Sequence, residues 1–160
     1  MTDNTQLAGK LVELMTDRKK MVATVESCTG GMIAAAITDI AGSSAVLDRG
    51  FVTYSNEAKQ DMVGVSPATL AAHGAVSRET AVEMAEGALA RSRADIAVSV
   101  TGIAGPGGGS PEKPVGLVHM AIAGTHIQTR HEKLQFGDIG RADIREQTVR
   151  RALEALIETV

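Results

Sequence analysis

Three clusters of polar and glycine residues in this chain have the residue types of a site that acts on a small polar ligand. Each cluster follows a segment with the pattern of a β-strand. Ligands of open α/β sheets bind beyond the carboxyl ends of parallel strands, so we expect the three clusters to meet there. They are Glu26-Ser27-Cys28-Thr29-Gly30-Gly31, Tyr54-Ser55-Asn56 with Lys59, and the Gly-rich loop 101–109.

Ser27 stands in the turn between a predicted strand and a predicted helix. Gly30 and Gly31 allow a ligand to approach the backbone N–H groups at the helix start, which is the outline of an oxyanion hole. The simpler alternative is that Ser27 or Thr29 only caps the helix, since both residue types are preferred caps. The segment is not a GxSxG nucleophile elbow, and residue types alone leave both interpretations open.

Lys59 follows Asn56, the predicted cap of a short helix, by three residues and so lies in the first helical turn. The positive end of the helix dipole, together with burial, would lower the pKa of Lys59. A neutral lysine can act as a base toward a serine hydroxyl, whereas a solvated surface lysine is the simpler alternative. Tyr54 either presents its hydroxyl beside Lys59 or covers a core that is poor in aromatic residues.

Residues 101–116 read TGIAGPGGGSPEKPVG and follow a predicted strand. The spacing matches neither GxxxxGK[ST] nor a complete GxGxxG, so the loop carries no nucleotide fingerprint. A flexible connector and a cradle for phosphate or ribose both remain open. Arg141 and Arg145 share one face of the last predicted helix, where they would clamp a phosphate or simply be solvated.

The elements that position these residues alternate between strands and helices. This order predicts one domain over residues 1–160 with an α/β fold, a three-layer α/β/α sandwich around a mixed, partly parallel sheet. Hydrophobic periodicity predicts helices over 4–18, 32–40, 56–62, 66–74, 78–92 and 139–159, and strands over 21–27, 44–55, 94–100, 115–123 and 126–136.

Composition excludes several classes of protein. The net charge of -3, spread along the chain, disfavours nucleic-acid binding. A single cysteine and four scattered histidines provide no disulfide and no metal-ligand spacing, so we expect neither metal nor cofactor. No apolar run reaches the roughly 18 residues of a membrane span, and the N-terminus lacks a signal-peptide pattern. We therefore expect a cytoplasmic protein without membrane contacts.

Taken in order, the three clusters and Gly74-Ala75-Val76-Ser77 resemble the CinA C-terminal domain family, the nicotinamide-nucleotide amidases. The resemblance covers nearly the whole chain and favours the functional interpretations of Ser27, Tyr54 and Lys59. It implies hydrolysis of nicotinamide mononucleotide to nicotinate mononucleotide and ammonia, without metal, in pyridine nucleotide recycling. Many family members carry a larger N-terminal domain in addition. This sequence shows none, so the chain is expected to be the stand-alone form.

The resemblance also implies residue roles. The nucleophilic serine of the family falls on Ser27, its lysine on Lys59 and its tyrosine on Tyr54. The Gly-Asp-Arg that precedes the last helix in the family is interrupted here by Ile139 and Gly140, so either arginine could reach the phosphate. The residues expected to bind substrate are Cys28, Thr29, Gly30, Gly31, Thr101, Gly102, Gly105, Arg141 and Arg145.

Two alternatives remain. One is a non-catalytic, regulatory module that binds a pyridine nucleotide and is linked to competence or the DNA damage response. The other is an amidase in which the Cys28 thiolate attacks, favoured by a helix N-terminus. The enzyme with a serine nucleophile is preferred, because a pure binding site has no need of a lysine near a serine and a tyrosine. We also expect a homo-oligomer, as a first guess a dimer, because the Ala-rich helices suggest additional burial.

Overall fold

The computed structural model describes residues 3–160, in which five strands and six α-helices follow the predicted order. A 3-10 turn, Ser43–Ala45, precedes the second strand. The elements are α1 (Asn4–Arg18), β1 (Val22–Glu26), α2 (Met32–Thr38), β2 (Leu47–Val52), α3 (Asn56–Val63), α4 (Pro67–His73), α5 (Arg78–Ala90), β3 (Ile96–Gly102), β4 (Leu117–Gly124), β5 (Ile127–Gln135) and α6 (Arg141–Thr159).

The five strands form one sheet in the order β2-β1-β3-β4-β5. Strand β1 pairs in parallel with β2 and β3, whereas β4 and β5 continue the sheet in antiparallel fashion. Glu26 lies opposite Val52 on one side and Val100 on the other, so β1, β2 and β3 end at the same edge. The predicted mixed, partly parallel sheet is confirmed, and its parallel part creates the edge on which the polar clusters lie.

Helices cover both faces of the sheet. Side chains of α1, α2 and α6 pack on one face against alternate residues of β3, which are Ile96, Val98 and Val100. The other face is covered by α3, α4 and α5. Four alanines, Ala81, Ala85, Ala121 and Ala123, let α5 approach the sheet closely, which compensates for the scarcity of large side chains. The arrangement is the predicted three-layer sandwich, and no helix within residues 3–160 is long and apolar enough to cross a bilayer.

The strand predicted over 44–55 was too long at both ends. Its first residues form the 3-10 turn, and pairing stops at Val52, after which the chain leaves the sheet to reach α3. The predicted helix cap was also wrong by one residue. Ser55, not Asn56, caps α3, because its side chain accepts a hydrogen bond from the N–H of Ala58 at 3.0 Å.

The start of α2 is capped neither by Ser27 nor by Thr29. The N-cap is Gly31, at φ 109°, and it provides no side-chain acceptor. The buried carboxylate of Glu26 instead accepts hydrogen bonds from two backbone N–H groups of α2, at 2.8 Å and 3.1 Å. A carboxylate suits the positive end of a helix better than a hydroxyl does, and its presence leaves the Ser27 side chain free of a capping role.

Candidate active site

A cleft of about 280 Å³ opens beyond the carboxyl ends of β1, β2 and β3. Side chains or backbone of all three polar clusters line it. A larger depression of about 700 Å³ lies beyond the Gly-rich loop, but its wall is mostly glycine and proline. The smaller cleft is therefore the candidate active site. Its lining residues are Ser27, Cys28, Tyr54, Asn56, Lys59, Ala75, Val76, Thr101, Gly102, Ile103, Ala104, Gly105, Gly107, Gly108 and Arg141.

Ser27 and Lys59 are in direct contact at the floor of this cleft. The Nζ atom of Lys59 lies 3.1 Å from the Oγ atom of Ser27. It also donates to two backbone carbonyl oxygens, Thr53 O at 2.9 Å and Tyr54 O at 3.2 Å. Lys59 is only 1% exposed, so its amine is held in one place by three partners. The turn after β1 supplies the serine, and the first turn of α3 supplies the lysine.

Burial lowers the pKa of Lys59, against a smaller opposing effect of Cys28. None of the ion pairs within residues 3–160 includes Lys59. A neutral amine has two N–H groups and one lone pair, and carbonyl oxygens can only accept. Once the two N–H groups donate to Thr53 and Tyr54, the lone pair faces Ser27. In its neutral form, Lys59 is thus oriented to receive a proton from the serine hydroxyl.

Cys28 lines the cleft beside Ser27, with its thiol buried. Burial raises the pKa of Cys28 to about 11, so the thiol keeps its proton at neutral pH. A thiol in this state is a poor nucleophile. The geometry and the electrostatics therefore favour the serine over the neighbouring cysteine.

Tyr54 reaches Lys59 through its backbone and not through its hydroxyl, contrary to one of the two expectations for this residue. Tyr54 is 61% exposed and lies at the mouth of the cleft. Its hydroxyl accepts a hydrogen bond from Nη2 of Arg141 at 3.3 Å. The Tyr54 hydroxyl and the Lys59 amine therefore have different partners, and the tyrosine ring forms part of the rim.

The two arginines of α6 have different surroundings. Arg141 lines the cleft, and its Nη1 donates to Gly105 O in the Gly-rich loop at 2.6 Å. Arg145, one turn later, does not line the cleft. It donates instead to the backbone carbonyl oxygens of Cys28 and Thr29, at 3.1 Å and 3.3 Å.

The remaining predicted residues divide into two groups. Thr101, Gly102 and Gly105 line the cleft, and the Thr101 hydroxyl donates to Ala75 O at 2.8 Å. Thr29, Gly30 and Gly31 do not line the cleft. Thr29 is fully buried and donates to the Glu26 carboxylate, while the N–H of Gly30 donates to Ser27 O at 3.0 Å. The chain reverses at Gly30 and Gly31 between β1 and α2. Both residues have positive φ angles there, a conformation that favours glycine.

Two contributors escaped the sequence analysis. Glu26 organises the turn from inside, and the only charged residue of β1, at its end, was the feature that could have revealed it. The carbonyl of Thr53 holds Lys59, and no residue-type pattern marks a backbone acceptor. Within residues 3–160, no group of three or more His, Cys, Asp or Glu side chains has the geometry of a metal site.

Fold and site together define a three-layer α/β protein with a contacting serine and lysine where its parallel strands end. The chain belongs to the CinA C-terminal domain family, whose model matches residues 4–160. An Escherichia coli K12 protein named nicotinamide-nucleotide amidohydrolase PncC is 54% identical over 160 residues, which cover 98% of this chain and 95% of the relative. The predicted family membership is confirmed.

Solved structures agree with this assignment. The competence/damage inducible protein CihA from Agrobacterium tumefaciens matches with a TM-score of 0.97 and 59% identity, covering 99% of this chain and 96% of that one. The competence damage-inducible protein A (ComA) from Klebsiella pneumoniae matches with a TM-score of 0.93 and 38% identity, covering 98% and 96%. Both share the fold over nearly the full length.

Proposed function

We propose that this chain is an amidohydrolase that converts nicotinamide mononucleotide to nicotinate mononucleotide and ammonia in pyridine nucleotide recycling. The name of the E. coli relative, at 54% identity over almost the whole of both chains, supports the substrate. The observation that best supports a hydrolytic mechanism is the distance of 3.1 Å between Lys59 Nζ and Ser27 Oγ. We assign Ser27 as the nucleophile and Lys59 as its base, with neither metal nor cofactor.

In the first step, neutral Lys59 takes the proton of Ser27 as the serine oxygen attacks the carboxamide carbon. The new O–C bond converts the carbonyl oxygen to an oxyanion. Its donor is proposed to be the N–H of Cys28, which follows the nucleophile and borders the cleft. The N–H of Gly30 is a weaker candidate than expected, because it donates within the turn to Ser27 O.

In the second step, the C–N bond breaks and protonated Lys59 gives its proton to the leaving nitrogen, which departs as ammonia. Water then attacks the ester that joins Ser27 to the nicotinoyl group. Lys59 accepts the proton of this water and returns it to the serine oxygen. The steps balance with water as the only co-reactant, and one lysine serves alternately as base and acid.

The rest of the cleft would hold the nucleotide in the orientation for attack. Arg141 is the proposed phosphate ligand, because its guanidinium borders the cleft and takes part in none of the ion pairs within residues 3–160. The Gly-rich loop, through Gly107 and Gly108, would pack against the ribose. Tyr54, at the mouth of the cleft, is bonded to Arg141 and would cover the bound nucleotide.

The test is to incubate the purified protein with nicotinamide mononucleotide or with free nicotinamide, each with and without a chelator, and to measure ammonia and the acid product. We expect ammonia and nicotinate mononucleotide in equal amounts from the mononucleotide, little turnover of nicotinamide, and no effect of the chelator. Binding of the mononucleotide without release of ammonia would contradict the proposal and favour the non-catalytic module.

A further inference from the structure

The guanidinium of Arg145 binds the backbone of the turn that follows β1 and contains Ser27. Its Nε and Nη2 atoms donate to two successive carbonyl oxygens, those of Cys28 and Thr29. The side chain is half-buried, and none of the ion pairs within residues 3–160 includes it. A cation that is bound to backbone oxygens and that no carboxylate neutralises calls for a functional explanation.

We propose that Arg145 is a positioning residue for the amidase reaction, which fixes the nucleophile turn, residues 27–30, and acts on Ser27 through the backbone. It is not a ligand of the substrate phosphate. This inference rests on the proposed function and extends it to a residue outside the cleft.

Backbone bonds already hold both ends of the turn, since the N–H of Ser27 donates to Val100 O and Thr29 O accepts from the N–H of Met32. Within residues 3–160, however, the hydrogen bond to Cys28 O comes from Arg145 alone. Inside, the Glu26 carboxylate accepts from the hydroxyl of Thr29, and the N–H of Gly30 bonds back to Ser27 O. Gly30 and Gly31 have positive φ angles. Because glycine has no Cβ atom, these two residues give this stretch little intrinsic stiffness. Arg145 thus supplies the partner of Cys28 O, next to the nucleophile, and adds a second hydrogen bond to Thr29 O.

A planar guanidinium suits this task. Its fork presents two N–H groups in fixed geometry, whereas an ammonium is a single point of attachment. The positive charge of Arg145 also acts on Cys28, which lines the cleft. Burial raises the pKa of Cys28, and the charge of Arg145 lowers it by a smaller amount. A positive charge at this distance would also favour the negative charge that develops after Ser27 attacks.

The experiment separates positioning from phosphate binding by measuring turnover and binding independently. Steady-state kinetics with nicotinamide mononucleotide would compare Arg145→Gln with Arg141→Gln, the matched change one helical turn away. Calorimetry would then measure binding of the same compound to Ser27→Ala protein that carries either arginine change.

We expect Arg145→Gln to lower kcat by about 100-fold, since small displacements of a reacting group cost rate on this scale. Its KM and its binding constant should change by less than about threefold, and the pH dependence of kcat should keep its shape. Arg141→Gln should instead weaken binding. Arg145→Lys, which keeps the charge but loses the fork, should fall between wild type and Arg145→Gln.

The opposite pattern would overturn the inference. If Arg145→Gln weakened binding as strongly as Arg141→Gln and left kcat unchanged, Arg145 would be a phosphate ligand. Unchanged kinetics in both Arg145 variants would also overturn it. Thermal denaturation checks folding, and if Arg145→Gln does not fold, Arg145→Lys gives the kcat and binding comparison alone. A wild-type protein that releases no ammonia would refute the proposed function instead, which is a different outcome from either of these.

Discussion

Glu26, at the end of β1, and Lys59, in the first turn of α3, are two ionisable side chains that are each about 1% exposed. The carboxylate of Glu26 accepts hydrogen bonds from the Thr29 hydroxyl and from two backbone N–H groups of α2, where the helix dipole also favours a negative charge. Lys59 has only neutral oxygen partners, and burial lowers its pKa.

Under the proposed mechanism, Glu26 is a buried group that serves the structure, and Lys59 is a buried group that serves the reaction. A buried carboxylate whose oxygens accept several hydrogen bonds holds its surroundings together. A buried amine without a counter-charge gives up its proton more easily and can therefore exchange it during a reaction. Substitutions at and beside these two groups test the difference between them.

Ser27→Ala removes the attacking oxygen that Lys59 is proposed to activate. We expect ammonia release to fall by at least about 1,000-fold, because no other nucleophile is in place. Cys28→Ser, one residue away, is the matched control and should retain most of the rate, since the Cys28 thiol is protonated at neutral pH. If the two variants gave the reverse result, the nucleophile would be Cys28.

Lys59→Met replaces the amine by an apolar group of similar length. Loss of a general base costs about 100-fold to 10,000-fold in rate, so kcat should fall within that range while the substrate still binds. Lys10→Met, an exposed lysine on α1, is the control and should leave kcat unchanged. Equal kcat values for Lys59→Met and wild type would show that the contact with Ser27 has no catalytic role.

Glu26→Ala tests the structural member of the pair. It leaves two backbone N–H groups and a buried hydroxyl without their acceptor, so the free energy of unfolding should fall by about 2–3 kcal/mol. Urea denaturation measures this loss, and Glu13→Ala, an exposed glutamate on α1, should change it by less than about 0.5 kcal/mol. A Glu26→Ala protein as stable as wild type would mean that α2 does not depend on this carboxylate.

Tyr54→Phe should have the smallest effect, because the backbone carbonyl of Tyr54, and not its hydroxyl, contacts Lys59. The variant loses one exposed hydrogen bond to Arg141, and we expect kcat/KM to fall by less than about tenfold. A loss as large as that in Lys59→Met would assign the hydroxyl a direct part in proton transfer.

Much of the fold could be predicted because hydrophobic periodicity reports which face of each element is buried. The β-branched residues of β1 and the spacing of inward residues in α6 both indicated the correct elements. Errors arose where local contacts decide, as at the cap of α3, where Ser55 and Asn56 are equally good candidates by residue type.

The site was predictable as a set of loops, but its internal bonding was not. Ser27 and Lys59 were proposed through the resemblance to a family, whereas the orientation of the lysine depends on the carbonyl of Thr53. Likewise, the partners of Arg145 are backbone oxygens, which every residue carries. Sequence patterns report residue types and therefore cannot indicate contacts of this kind.

In the proposed mechanism, Lys59 acts as a base because burial lowers its pKa. Its side chain can be titrated directly by NMR of the Cε methylene in lysine-labelled protein, with the resonance assigned by its absence in Lys59→Met. We expect a midpoint below the roughly 10.4 of a free lysine. The acidic limb of kcat/KM should rise with pH through the same midpoint, because the neutral form is the active one. A Lys59 that stays protonated up to a pH of about 10.4 while the enzyme is fully active near neutral pH would contradict this mechanism.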